Sequence, residues 1–209
     1  MTKEEKVKLI IERLSKIYPH PKTALQFTTP LELLIATILS AQATDKLVNT
    51  VTPALFAKYK TAKDFADAPV EEIDEMVKKV TFHTNKSKNI KAAAKIIAEQ
   101  YNGKVPDNME ELDALPGVAR KTANVVLGNA YHKAEGVVVD THVMRLSTKL
   151  GLTDKKDPEK IEQDLMQIVP KEKWIDFSHM LILHGRDICT ARPHTCEGCP
   201  LGDICPDKK

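Results

Sequence analysis

Lys121 follows a Pro-Gly turn and lies where an amine could act as a nucleophile. The stretch 112–127 has the pattern of two short helices joined by Pro116 and Gly117, with the second helix beginning near Ala119. Such a turn leaves backbone N–H groups at a helix N-terminus, which suits a phosphate oxygen. Lys121 would lie in the first turn, where the helix dipole disfavours an ammonium and partial burial would disfavour it further. A neutral amine there could form a Schiff base with a sugar carbon, whereas the alternative is an exposed lysine beside a phosphate.

Asp140 ends the apolar run 137–139 and precedes a stretch with helical periodicity. Aspartate is a favoured N-cap residue, and capping by itself would account for this position. The chemical alternative is a fixed carboxylate that stabilises positive charge on a sugar or accepts a proton from Lys121. Its place at a helix N-terminus would favour the ionised form. Spacing alone does not bring Asp140 beside Lys121.

The chain has four cysteines, and all of them fall in a 17-residue stretch near the C-terminus: Cys189, Cys196, Cys199 and Cys205, spaced C-x6-C-x2-C-x5-C. In a reducing compartment such a group indicates a metal site before it indicates disulfides. A zinc site usually pairs two C-x2-C hooks and a 4Fe–4S cluster also takes four thiolates, so the spacing leaves both open. Arg192 and His194 lie in the first loop, where a metal-held turn could present them to phosphate.

The elements that must position these residues are predicted to be helices. Apolar residues recur with the helical period in stretches such as 7–17, 90–97 and 161–169. The stretch 31–42 is apolar on nearly every side, which predicts a central helix surrounded by others. The β-like run 137–139 is too short to support a sheet. The sequence therefore predicts an all-α fold.

Composition and charge narrow the class of protein only partly. With 209 residues, 42% of them hydrophobic, and a net charge of +2, the chain could form one domain or two small ones. The stretch 76–98 has six lysines and no acidic residue, which would suit a phosphate backbone or simply form a solvated helix face: Lys78, Lys79, Lys86, Lys88, Lys91 and Lys95. No stretch approaches the roughly 20 apolar residues that span a bilayer. The N-terminus lacks the apolar core of a signal peptide, so we expect a cytoplasmic protein.

Taken together, these motifs resemble endonuclease III, the DNA glycosylase and AP lyase family of the helix-hairpin-helix superfamily. The resemblance is carried by LPGVARKTAN at 115–124, VDTH at 139–142, LILHGR at 181–186 and the cysteine spacing, and it runs from near Pro19 to Cys205. It implies two helical domains with a cleft between them. Residues 23–133 would form a helical barrel with the helix-hairpin-helix at about 109–128, and residues 1–22 and 134–209 would form the cluster domain. It also implies that the four cysteines hold a 4Fe–4S cluster and not a zinc ion.

The resemblance further implies an active site and a substrate. Lys121 and Asp140 would be catalytic, and the substrates would be oxidised pyrimidines or abasic sites in duplex DNA, bound by a monomer at the nucleoid. Gln42 would fill the space that the lesion leaves and contact its orphaned partner base, and Phe82 would enter the base stack. The residues implied in DNA contact or lesion recognition are Gln42, Asp45, Phe82, His83, Pro116, Gly117, Val118, Ala119, Arg120 and His142.

The sequence departs from the family at two places. Ala119 stands where the family usually has a second hairpin glycine, and alanine would be strained there if φ were positive. Residues 81–83 read Thr-Phe-His where the family often has Gly-Leu-Tyr, a difference that bears on lesion preference. The alternatives are a monofunctional mismatch glycosylase of the same superfamily, a DNA-binding module in which the hairpin only grips phosphate, and a zinc-stapled structural protein.

Overall fold

The computed structural model describes residues 1–192 and 195–208, and in these ranges the chain forms helices and no strand, which confirms the all-α prediction. The described residues contain eleven α-helices: α1 (Lys3–Ile17), α2 (Pro30–Ser40), α3 (Asp45–Lys58), α4 (Ala62–Asp67), α5 (Val70–Val77), α6 (His83–Gln100), α7 (Met109–Asp113), α8 (Arg120–Ala130), α9 (Thr141–Lys149), α10 (Pro158–Ile168) and α11 (Trp174–Asp187). A 3-10 turn, Lys171–Lys173, leads into α11. None of the described helices combines the length and apolarity that a membrane crossing requires.

Side-chain caps explain where most of these helices begin. At α1 the Thr2 hydroxyl accepts from the Glu5 amide at 3.2 Å, and the Glu5 carboxylate accepts from the Thr2 amide at 2.8 Å. This reciprocal pair is a capping box. At α2, Thr29 caps the helix and Pro30 follows in the first turn, where a missing N–H costs nothing. Replacing such a cap with alanine costs about 1 kcal/mol. No side chain caps the N-termini of α5, α6, α8 and α11.

The chain divides into two compact units. The middle unit is Thr23–Lys133, and the split unit joins Met1–Lys22 to Ala134–Lys209. In the middle unit α2 is the central element: eight of its eleven residues are buried, and it packs on α3, α6 and α8. The predicted surrounded helix is therefore confirmed. Its apolar side chains, such as Leu33 and Leu39, are fully buried, and truncating one of them to alanine would cost about 2–5 kcal/mol.

The split unit is built on α1, α9, α10 and α11, which pack against one another around a second apolar core. The run 137–139 contributes buried Val137 and Val139 to this core without forming a strand. The Trp174 indole N–H donates to the Val169 carbonyl at 2.9 Å, so that the polar atom of the largest side chain is satisfied. Helix α11 then runs through the core and ends two residues before Cys189.

Candidate active site and metal centre

The predicted hairpin between α7 and α8 is a tight turn of defined type. The Val118 amide donates to the Leu115 carbonyl at 3.1 Å, and Gly117 has φ +76. Proline followed by a residue with positive φ is the signature of a type II turn. Leu115 and Val118 are buried at its two ends, so the turn is anchored in the core of the middle unit while Gly117 is exposed.

Ala119 is not strained. Its φ of −102 and ψ of 167 are those of extended backbone, and it is the N-cap residue of α8. The left-handed residue of the hairpin is Gly117, two positions earlier. Alanine is therefore compatible with this turn, and the departure from the family pattern leaves the hairpin intact.

Gly117→Ala should cost more stability than the same change at Gly103. Both glycines have φ +76, but a Cβ at Gly117 would lie 2.8 Å from the Asn89 Cβ, whereas one at Gly103 would meet nothing within 4 Å. Left-handed backbone alone costs alanine about 1–2 kcal/mol. Urea unfolding of the two variants measures the additional cost of the contact with Asn89. Equal losses in the free energy of unfolding would show that Asn89 moves aside at no cost in stability.

The N-terminus of α8 presents unpartnered backbone amides. Within the described part of the chain, the amides of Gly117, Ala119 and Lys121 donate no hydrogen bond. Exposed N–H groups at a helix N-terminus, where the helix dipole is positive, form an anion site. The missing side-chain cap thus leaves donors that a phosphate oxygen can accept from.

Lys121 is the second residue of α8, as expected, and its side chain is exposed. The partial burial that the sequence suggested is therefore not found. Its side chain begins at the positive end of the α8 dipole, beside the unpartnered amides. Lys121 belongs to the middle unit and Asp140 to the split unit.

Asp140 is the N-cap of α9. Its Oδ1 accepts from the amides of His142 and Val143, each at 2.8 Å. Both bonds use the same oxygen, and none of the described residues donates a hydrogen bond to Oδ2. The capping interpretation is thus correct, and the two backbone donors hold the carboxylate in one orientation. The next residue but one, His142, packs on Gly185 with its Nδ1 buried and without a hydrogen-bond partner in the described chain.

His179 is a residue near Asp140 that the sequence did not single out. It lies in α11 and is 9% exposed. Burial lowers the pKa of His179, and the negative charges of Asp176 and Asp140 partly oppose that shift. The neutral ring therefore packs within electrostatic reach of the Asp140 carboxylate. No local pattern could have revealed this, because 39 residues separate the two positions.

Gln42 and Phe82 share an uncommon backbone conformation. Their φ values are 55 and 56, in the left-handed region, and both side chains are exposed. Gln42 follows the C-cap residue of α2. Phe82 is 59% exposed, and it immediately precedes α6. Asp45 begins α3 three residues after Gln42. Exposed side chains on sparsely populated backbone are typical of functional positions.

His83 is tied to the neighbouring helix. Its Nδ1 lies 2.7 Å from the Asp74 Oδ1 of α5, and the Ser87 hydroxyl donates to the same oxygen at 3.3 Å. These contacts fix the ring at the first residue of α6, beside Phe82.

The lysine-rich stretch 76–98 does not present a uniformly positive face, so that suggestion was wrong. Lys86 is buried and donates to carbonyls of the α2 C-terminus, and Lys91 donates to carbonyls of the α4 C-terminus. Lys78 pairs with Glu75, and Lys95 lies 3.9 Å from Glu99. The charge pattern could not distinguish outward lysines from lysines that satisfy helix ends.

The four cysteines line one cavity in the split unit, together with residues of α9 and α11. None forms a disulfide. Neighbouring groups of the same unit contact three of the sulfurs: Arg145 lies 3.6 Å from the Cys189 Sγ, His184 lies 3.8 Å from the Cys199 Sγ, and the Cys205 thiol donates to the Lys149 carbonyl at 3.6 Å. Arg192 lies in the described part of the first loop, and His194 lies outside the described residues.

The chemistry of these thiols fits a cationic centre. Burial raises the pKa of Cys199, and the charges of Cys189, Cys196 and Cys205 raise it further. The mutual effect shows that the four sulfurs are near one another, and positive charge in the cavity would reverse it. In residues 1–192 and 195–208, however, no three Cys, His, Asp or Glu side chains converge on one point as ligands of a single ion would. Four thiolates around a zinc ion would be about 3.8 Å apart.

Comparison with known proteins agrees with these features. Residues 35–171 match the family described as HhH-GPD superfamily base excision DNA repair protein. Endonuclease III of Synechocystis sp. is 49% identical over 205 residues, covering 98% of this chain and 94% of that protein. Endonuclease III of Bacillus subtilis is 42% identical over 202 residues, covering 96% and 92%. A solved structure described as a trapped endonuclease III–DNA covalent intermediate has a TM-score of 0.93 at 39% identity, covering 99% and 97%.

Proposed function

Because the chain belongs to the HhH-GPD superfamily of base excision DNA repair proteins, we propose that it is a DNA glycosylase and AP lyase. Its substrates are oxidised pyrimidines and abasic sites in duplex DNA. The observation that carries this proposal is Lys121, a lysine in the first turn of an uncapped helix that follows a Pro-Gly hairpin. A glycosylase that only hydrolyses the base needs no amine there, and a binding module needs only the amides. DNA in the nucleoid, and therefore the cytoplasm, is where such an enzyme acts.

Lys121 supplies the nucleophile. Its neutral amine attacks C1′ of the damaged nucleotide, the bond from C1′ to the base breaks, and the base leaves with a proton. The ring oxygen O4′ then leaves C1′ and takes a proton as the imine forms. Removal of a proton from C2′ drives elimination of the phosphate from C3′, which cuts the strand on the 3′ side. Asp140 stabilises positive charge on the sugar and relays protons through Oδ2.

DNA binding uses the hairpin and the exposed side chains of Gln42 and Phe82. Phosphate oxygens accept from the amides of Gly117, Ala119 and Lys121, which positions the protein without reading sequence. Phe82 enters the base stack and Gln42 takes the space left by the damaged nucleotide. Rotating a base out of the duplex costs a few kcal/mol and costs least for a damaged, weakly stacked base. This difference favours lesions over normal pyrimidines.

A borohydride trapping assay on a thymine-glycol duplex tests the function. The wild-type chain should release the base, nick the strand and, with borohydride present, become covalently attached to the DNA. Base release without a nick or trapped product would instead identify a monofunctional glycosylase. DNA binding with neither reaction would identify a non-catalytic hairpin module.

We also propose that Cys189, Cys196, Cys199 and Cys205 hold a 4Fe–4S cluster. Four thiols that line one cavity without converging on one point suit a cluster, in which each thiolate binds a different iron. The cluster would supply positive charge that keeps the thiolates ionised, and it would tie the C-terminal segment to α9 and α11. Its role is structural, holding the loop that contains Arg192 in place for DNA.

The purified protein should be yellow-brown and contain about four iron atoms per chain. Cys199→Ser should lose this absorbance and lower the melting temperature, because the cysteine segment is no longer held together. Metal analysis and visible absorption check both expectations. A colourless protein with one zinc ion per chain would contradict the cluster.

A further inference from the structure

Lys86 is a buried lysine whose ammonium binds the C-terminal end of α2. It is 6% exposed, and its Nζ donates to the Leu39 carbonyl at 2.8 Å and the Ala41 carbonyl at 2.5 Å. Carbonyls at a helix C-terminus lack intrahelical partners and carry partial negative charge, so a cation there satisfies both needs. Burial lowers the pKa of Lys86, and these contacts offset part of the cost of its desolvation.

One of the two carbonyls that Lys86 binds, that of Ala41, directly precedes Gln42. Ala41 is the C-cap of α2 with φ −57 and ψ 115, so the chain leaves the helix at this residue. Gln42 then adopts φ 55. A non-glycine residue persists in this region when its surroundings hold it there. The ammonium of Lys86 holds the Leu39 and Ala41 carbonyls in place. It thereby fixes the peptide group that joins Ala41 to Gln42.

The backbone of the same lysine holds Phe82. The Lys86 amide donates to the Phe82 carbonyl at 3.1 Å, closing the first turn of α6. Phe82 has φ 56 and is the N-cap residue of a helix without a side-chain cap. Lys86 is thus bonded to both exposed, left-handed segments, through its side chain to the segment of Gln42 and through its main chain to the segment of Phe82.

We infer that Lys86 is a positioning residue that joins the Gln42 and Phe82 segments into one rigid wedge for opening the DNA duplex. The inference rests on the proposed function, in which these two side chains enter the duplex. Without the ammonium, the Gln42 segment loses its hydrogen bonds to α6, and the two side chains no longer enter the DNA in a fixed relation. Steps that need an opened duplex then slow, while the chemistry on an already unpaired nucleotide does not.

Lys91 provides a matched control on the same helix. Its Nζ donates to the Ala66 carbonyl at 2.7 Å and the Ala68 carbonyl at 2.5 Å, at the C-terminal end of α4. The contact is of the same kind, a lysine of α6 that satisfies two carbonyls of a helix end. The segment that it holds continues into Pro69 and α5, and contains neither Gln42 nor Phe82.

The test compares Lys86→Met and Lys91→Met on two substrates that carry the same abasic site. In one the site lies in a fully paired duplex, and in the other it lies in a short unpaired bubble with duplex flanks, where no opening is needed. We expect Lys86→Met to slow nicking of the paired duplex by about 10- to 100-fold and nicking of the bubble by less than about threefold. Lys91→Met should lower the melting temperature, but it should change the rates of nicking of the paired duplex and of the bubble by the same factor.

Fluorescence of 2-aminopurine beside the site gives a readout independent of catalysis. The base brightens when it unstacks, and this increase should shrink for Lys86→Met and remain for Lys91→Met. Lys86→Gln, which keeps an N–H donor on a shorter stem, gives the same comparison should the methionine variant not fold. Equal rate losses on both substrates, or none on either, would overturn the inference. A wild-type chain that nicks neither substrate would refute the proposed function itself, and this inference with it.

Discussion

Lys121→Gln should abolish borohydride-trapped adducts and strand nicking, with both falling by at least about 10³-fold. Glutamine has no nucleophilic amine, so neither the imine nor the elimination that follows it can form. Affinity for a duplex with an uncleavable abasic analogue should change by less than about tenfold, because the backbone amides of the hairpin remain to bind phosphate. Gel analysis of trapped product and fluorescence anisotropy measure the two effects.

The control for this variant is Lys104→Gln, which removes one positive charge from another exposed lysine of the middle unit. It should leave trapping unchanged. Trapping at the wild-type level in Lys121→Gln would mean that a different amine attacks the sugar. A parallel loss in both variants would point to charge, not nucleophilicity, as the property that matters.

Asp140→Asn should slow base release by about 10²–10⁴-fold with little change in stability. Asparagine caps a helix as well as aspartate does, so the amides of His142 and Val143 keep an acceptor. The variant therefore keeps the helix cap and removes the negative charge. The lost property is the negative charge that stabilises the sugar cation and receives protons. Single-turnover release of thymine glycol, together with urea unfolding, measures both.

Asp157→Asn is the matched control, since Asp157 caps α10 in the same way. Its carboxylate accepts from the amides of Glu159 and Lys160, the second and third residues of that helix. Asp140 does the same at α9. Asp157→Asn should affect neither stability nor base release. An Asp140→Asn protein with full activity would reduce Asp140 to a cap and remove it from the mechanism.

The local features of the site could be predicted because they depend on neighbours in the chain. Pro116 and Gly117 dictate a turn through their own dihedral preferences, and Asp140 caps α9 through amides two and three residues away. The apolar run of α2 predicts a surrounded helix, since burial on every side leaves no polar face. Charge was less informative, because a lysine pattern is the same whether the side chains face solvent or a helix end.

What the sequence by itself determined is the all-α class of the fold, the hairpin that presents Lys121, the cap at Asp140 and the four thiols. Each follows from dihedral preference, periodicity or spacing over a few residues. The tertiary structure decided that Lys86 turns inward to Leu39, 47 residues away, that His179 packs near Asp140, and that Gln42 and Phe82 stand exposed on left-handed backbone. These outcomes depend on which distant groups meet when the helices pack, because a buried ammonium or a strained φ is stable only where its surroundings compensate it.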